Sequence, residues 1–172
     1  MVTGGGAVAA VPDAALVARA AAAAVVDPEL PSVTIGELGI LRDVVLDGTG
    51  AVEVTITPTY SGCPAMDVIR ADVRTALRAA GFDRVTVGTV LAPAWTTDWI
   101  SPAGRDKLAA AGIAPPEPVA ATTGPVPVAL SVPCPRCGCA RTRELSRFGA
   151  TACKALWRCL DCAEPFERVK AL

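Results

Sequence analysis

"VEVTITPTYSGCPAMDVIRADV", residues 52–73, changes its hydrophobic period halfway along. From Val52 to Thr57 β-forming residues alternate in and out, the period of a half-buried strand. Beyond Cys63-Pro64 the apolar residues Met66, Ile69, Val73, Ala76 and Ala80 recur at steps of three and four, the stripe of an amphipathic helix. Asp67, Arg70, Asp72, Arg74 and Arg78 lie off that stripe, a solvated face, and Gly81 stands where a helix C′ residue is wanted. A thiol therefore occupies a strand-to-helix junction.

Working outward, "LGILRDVVLDG" (38–48) reads as a strand closed by a turn at Asp47-Gly48, and it forms a hairpin with "AVEVTITPT" (51–59). "RVTVGTVLAP" (84–93) is a third strand. Asp13 is an N-cap for a helix through Val26, with Leu16, Ala20, Ala23 and Ala24 on one face, and the prolines of "DPELPS" (27–32) end it. Asp27 and Glu29 are expected to cap or close that first turn, metal ligation by either being the remoter reading. Ser101-Pro102 supplies an N-cap and a first-turn proline for a helix that stops at Gly112. The fold class is α/β (α+β): a small mixed three-stranded sheet covered by helices, followed by a C-terminal zinc ribbon. Residues 1–12 are expected to be a flexible N-terminus and 13–113 the α/β domain. Residues 114–132 form a Pro-rich linker and 133–172 the ribbon. Six prolines in residues 114–133 make that linker extended and semi-rigid.

The charge follows the same division. Residues 1–133 carry eight Lys/Arg against thirteen Asp/Glu, a net of −5, and residues 134–172 carry eight against four, a net of +4. The absence of histidine excludes Ser-His-Asp and Cys-His catalysis and any His-ligated metal. No pair of carboxylates offers itself for acid–base work. The Ala-rich start lacks a basic n-region and is interrupted by Asp13 and Arg19, so it does not read as a signal peptide. No segment has the ~18 uncharged apolar residues of a membrane span. A cytoplasmic location without membrane contact follows, and seven cysteines there point to metal rather than disulfides.

Four of those cysteines form C-x2-C-x21-C-x2-C: Cys134 and Cys137 in "CPRCG", Cys159 and Cys162 in "CLDC". Two such knuckles aim four thiolates at one ion, and the set suits structural Zn²⁺. A rubredoxin-like iron site uses similar knuckles and is the alternative. A module this short needs the staple to fold. Cys139 is either incidental or a substitute ligand in the same knuckle. Cys153 in "GATACKALW" adjoins Lys154, which could lower its pKa; the competing reading is a small half-buried strand residue. Trp95 and Trp99 are expected to cover an edge of the small domain. If Pro64 opens the helix, Cys63 is its N-cap, and the unpaired N–H groups and the helix dipole favour a thiolate there. Such a thiolate could be a nucleophile, a redox switch or a soft-metal ligand; a buried inert cysteine is the competing reading.

The runs "VDPELPSVTIGELGILRDV", "VEVTITPTYSGCPAMDVIRADV" and "LAPAWTTDWISPAGRDKL", over roughly residues 13–113, resemble the iron–sulfur assembly domain of SufT and its eukaryotic cytosolic relatives. With the appended "CPRCG…FGATACKALWRCLDC…PF" the whole resembles the PaaD family, encoded with the multicomponent phenylacetyl-CoA epoxidase. The resemblance implies a non-catalytic accessory factor that assists iron or iron–sulfur insertion, with Cys63 handling transient iron or cluster. It raises Cys153 as an additional thiol. It implies the di-iron oxygenase and the flavin/[2Fe–2S] reductase subunits as clients, and self-association remains open. The alternative is a structural adaptor of the epoxidase complex. A third reading takes the basic ribbon, with Trp157 and Phe148 or Phe166 for stacking, as a nucleic-acid module; the resemblance argues against it. Consistent with an accessory role, the chain has neither histidines for a di-iron site nor a GxGxxG fingerprint for a dinucleotide.

Overall fold

The computed structural model describes residues 13–60, 62–116 and 132–170. The expected N-terminal tip, residues 1–12, and most of the expected linker, residues 117–131, lie outside the described residues.

The first module contains α1 (Ala14–Ala23), β1 (Leu41–Leu46), β2 (Val52–Ile56), α2 (Ala65–Ala79), β3 (Val85–Thr89) and α3 (Pro102–Ala110). β1 and β2 are an antiparallel hairpin, and β3 lies parallel to β2 on its other side, giving a mixed sheet in the order β1-β2-β3. The parallel return is possible because α2 carries the chain back between β2 and β3. α2 buries Met66, Ile69, Val73 and Leu77, each contributing ~1.5–3 kcal/mol of apolar transfer. Leu77 replaces the expected Ala80 at the end of the stripe. The helix closes in a Schellman motif, with Gly81 N–H donating to Arg78 O (3.0 Å) and Phe82 N–H to Leu77 O (3.0 Å).

α1 presents a different face from the expected one. Leu16 is 64% exposed, whereas Ala18 and Ala22 are fully buried. α1 packs on β1 and α2, and the positions it gives to the core are the small Ala18 and Ala22, a different face from the one that carries Leu16 and Ala23. On that other face Ala23 approaches the backbone closely, since a Cβ at Gly36 would stand 2.9 Å from Ala23 Cβ. Asp13 caps the helix as expected, its Oδ1 accepting from Ala15 N–H (3.0 Å).

The second sheet draws on both modules. β5 (Thr142–Ser146), β6 (Lys154–Cys159) and β7 (Pro165–Val169) form the antiparallel ribbon, and β4 (Ile113–Ala114) pairs parallel with β7, so the order is β4-β7-β6-β5. Ala114, expected to open the linker, thus belongs to a strand that fastens the ribbon to the end of α3. Val169 of β7 joins the core of the first module, alongside Ile35, Leu38, Ile40 and Leu108. The ribbon's own core is small: Ala114, Val132, Cys134, Ala155, Trp157, Cys159 and Phe166. Among the described residues, no helix is long and apolar enough to cross a membrane.

Candidate functional site

In the ribbon, each pair of cysteines brackets a tight turn. Cys134 N–H donates to Cys139 O (3.0 Å), and Cys159 N–H donates to Glu164 O (3.0 Å), so the two knuckles are built alike. The sulfurs of Cys134, Cys137, Cys159 and Cys162 all lie within 4.8 Å of one another. Cys134 Sγ is 3.8 Å from Cys162 Sγ, and Cys137 Sγ is 3.6 Å from Cys159 Sγ. A tetrahedron with sulfur ~2.3 Å from a central Zn²⁺ has edges of about 3.8 Å, so the quartet fits that ion in size and donor chemistry. Cys134 and Cys159 are buried and Cys137 and Cys162 exposed. Cys139 rests against the Asp161 carboxylate, and the donor atoms of Cys139, Cys159 and Asp161 also fall within 4.8 Å of one another. That position is consistent with a substitute ligand.

Cys63 lies some distance along the fold from that quartet, at the junction identified from the sequence. Pro64, with helical backbone angles φ −68° and ψ −21°, is itself the N-cap, so α2 begins at Ala65 and Cys63 stands one residue before the expected cap position. The Ala65 N–H and the Tyr60 hydroxyl both favour the charged form of Cys63. Neither donor produces the expected thiolate. Burial pushes the Cys63 thiol above its ordinary value, the Ala65 N–H works against burial, and the carboxylates of Glu29 and Asp27 add to it. The sequence signal for a low pKa is overturned because the junction is half-buried and faces carboxylates.

Those carboxylates come from "DPEL". Asp27 is buried, its Oδ1 accepting from the N–H groups of Glu29 and Leu30 (both 2.8 Å), which closes the turn as expected. Glu29 is half-buried and turns toward the ribbon, where Cys153 Sγ donates to its Oε2 at 3.5 Å. Cys153 is 7% exposed. Burial pushes its thiol up to about 11, opposed by the Thr151 hydroxyl and reinforced by Glu29. Lys154, expected to lower it, contributes least, because its ammonium is buried against Glu167 Oε2 at 2.8 Å.

Cys63 lines two depressions. The inner one is enclosed by Asp27, Glu29, Met66, Trp95, Cys153 and Lys170 among others, so it lies between the two modules. The outer one is open and includes Gly62, Asp67, Arg70, Thr89 and the exposed Leu91. A Cβ at Gly62 would meet nothing within 4 Å, which leaves the outer approach clear. Trp95 is buried rather than covering an edge, and its indole N–H donates to Leu38 O at 2.9 Å. Trp99 does sit at the surface, with the Arg42 guanidinium 3.6 Å from its ring centroid. The juxtaposition of Glu29 and Cys153 with Cys63 is not readable from spacing, since 124 positions separate Glu29 from Cys153. The one sequence signal toward Glu29 is the "DPEL" turn itself.

Residues 118–170 match the family described as "PaaD zinc beta ribbon domain", and residues 17–89 match "Iron-sulfur cluster assembly protein". Over 146 residues the chain is 45% identical to an Escherichia coli protein named as a component of 1,2-phenylacetyl-CoA epoxidase, covering 85% of this chain and 86% of that one. The chain belongs to the PaaD family. The first module alone is 37% identical over 78 residues to an "Fe-S protein maturation auxiliary factor" of Porphyromonas gingivalis, covering 45% of this chain and 73% of that one. It also superposes on a Bacillus anthracis crystal structure titled as a domain of unknown function, DUF59. The TM-score is 0.52 and the identity 31%, over 55% of this chain and 91% of that one. Within the PaaD family architecture, then, an assembly-type module and a ribbon are joined through β4 and β7, and Cys63 lies where they meet.

Proposed function

We propose that this PaaD-family chain is a non-catalytic maturation factor that assists insertion of iron or an iron–sulfur cluster into the oxygenase or reductase subunits of a phenylacetyl-CoA epoxidase. Cys63 is the residue that handles the cargo, and Cys134, Cys137, Cys159 and Cys162 hold a structural zinc. The observation that carries this reading is the position of Cys63. Its sulfur borders both an enclosed carboxylate-lined cavity and an open groove, so a soft ion could be held on one side and passed to a partner on the other. The names of the relatives support the accessory role, since one is a maturation auxiliary factor and another an epoxidase component. Half of the ribbon's eight basic side chains are paired with acids. Arg136 meets Glu164, Arg141 meets Asp161, Arg147 meets Glu144 and Lys154 meets Glu167, which interleaves acids with the bases on that surface. The adaptor reading draws on Phe148, 72% exposed on the ribbon, a side chain suited to docking.

The test replaces Cys63 with Ser in cells making all epoxidase subunits. The expected result is loss of iron from the client subunits and of epoxidase activity, with about one zinc per chain retained in the variant. Normal client iron and activity would transfer preference to the adaptor reading.

A further inference from the structure

We infer that Cys153 and Glu29 complete, with Cys63, a binding site for a single thiophilic divalent cation in the cavity between the two modules. This deepens the maturation reading and rests on it for its biological meaning, but the site itself is a separate claim. Two thiols and a carboxylate from three distant parts of the chain line one cavity, and Cys153 Sγ is already 3.5 Å from Glu29 Oε2. Thiolate and carboxylate oxygen together suit ferrous iron, zinc or cobalt rather than magnesium or calcium. The charges around the cavity are arranged for a cation. Asp27 adds a second carboxylate, buried and held by two amide N–H groups. Of the two neighbouring ammonium groups, Lys154 is neutralised by Glu167 (2.8 Å), and Lys170, at the cavity wall, is held by the Ala152 carbonyl (2.8 Å) and the Phe148 ring, so the two carboxylates of Asp27 and Glu29 outnumber the one unpaired cation.

The donor set favours an ion over a cluster: the cavity is lined by two thiols and the Glu29 carboxylate, enough for one ion whose remaining positions are filled by solvent, whereas a cluster is held by four thiolates. The site also differs from the ribbon quartet in how far it is preformed. The four ribbon sulfurs are gathered within 4.8 Å of one another, whereas Cys63, Cys153 and Glu29 are not gathered so closely. Binding therefore requires these three donors to draw closer together, and that ordering cost lowers the affinity, which suits cargo more than a structural metal.

The test is an anaerobic titration of the full zinc-loaded chain with Co²⁺, read by thiolate-to-cobalt charge-transfer absorption, with zinc measured in parallel. The expected result is about one cobalt per chain in addition to the zinc, with the band abolished in both Cys63→Ser and Cys153→Ser. Glu29→Gln, which leaves both thiols in place, is expected to weaken cobalt binding by at least roughly tenfold, since even outer partners of a metal site change affinity by that much. No band in the wild type, a band that survives Cys153→Ser, or a band that appears only as zinc is lost would overturn the inference. Each of these could occur while Cys63→Ser still abolishes client maturation, so the two readings fail separately.

Discussion

Ala163 is the one described non-glycine residue with positive φ, at 60°. It follows Cys162 as Gly138, at φ 74°, follows Cys137, so the two knuckles use the same left-handed turn with different residues. The left-handed region costs a residue with a Cβ roughly 1–2 kcal/mol. Ala163→Gly is therefore expected to stabilise the zinc-loaded protein by about 1 kcal/mol, part of the relief being offset by glycine's larger unfolded-state freedom. A denaturant midpoint that stays the same or falls would mean that the turn holds no strain of this kind. At this scale the gathering of Cys134, Cys137, Cys159 and Cys162 was legible, because a CxxC knuckle is a local device whose geometry follows from its short spacing. The ionisation of Cys63 was not. The helix start predicts a thiolate, but the burial of the junction and, after it, the carboxylates of Glu29 and Asp27 are tertiary facts, and they outweigh the Ala65 N–H and the Tyr60 hydroxyl.

At the level of elements, the three helices and the mixed sheet follow from periodicity and caps, and the misreadings cluster where elements touch. The apolar stripe of α1 includes Leu16, yet the core takes Ala18 and Ala22 and leaves Leu16 exposed. A tertiary contact also fixes α3. Glu37 and Thr34 cap one another's amides, with Thr34 N–H donating to Glu37 Oε2 (3.0 Å) and Glu37 N–H to Thr34 Oγ1 (3.2 Å). Glu37 Oε1 then meets Lys107 Nζ of α3 at 2.6 Å, and Glu37 O accepts from Ser101 N–H at 2.8 Å. Lys107, and after it the Thr34 N–H, holds the Glu37 carboxyl below its ordinary value of 4.5. A carboxyl depressed in the folded state stabilises above its unfolded pKa and loses that contribution as pH falls through the folded value. Lys107 is half exposed, so the pair contributes no more than about 1 kcal/mol. Urea midpoints of Glu37→Gln should accordingly lie below the wild type's at pH 7 and converge on it as the pH drops below 4.5. An unchanged gap across that range would assign the loss to geometry rather than charge.

In the whole molecule, the joint between the two modules was not legible. A proline-rich stretch reads as a spacer, and nothing in its composition reveals that Ile113–Ala114 pairs with Glu167–Arg168 before it begins. That pairing, with Val169 seated in the first module's core at 4% exposure, presses Cys153 against Glu29 and closes the cavity over Cys63. If docking is what protects Cys153, breaking it should expose that thiol without dismantling the ribbon. Val169→Asp places an unpaired carboxylate in the joint at a cost of several kcal/mol. Since each ~1.4 kcal/mol is a factor of ten in a population, alkylation of Cys153 should accelerate by at least about tenfold. Zinc should remain near one per chain, because the quartet lies wholly within residues 134–162. Mass spectrometry of the alkylated protein separates Cys153 from the others. Cys153 still protected in the variant would place its burial within the ribbon itself. Zinc lost together with protection would show that the ribbon folds only when docked, and that the shared sheet, rather than the metal alone, holds it together.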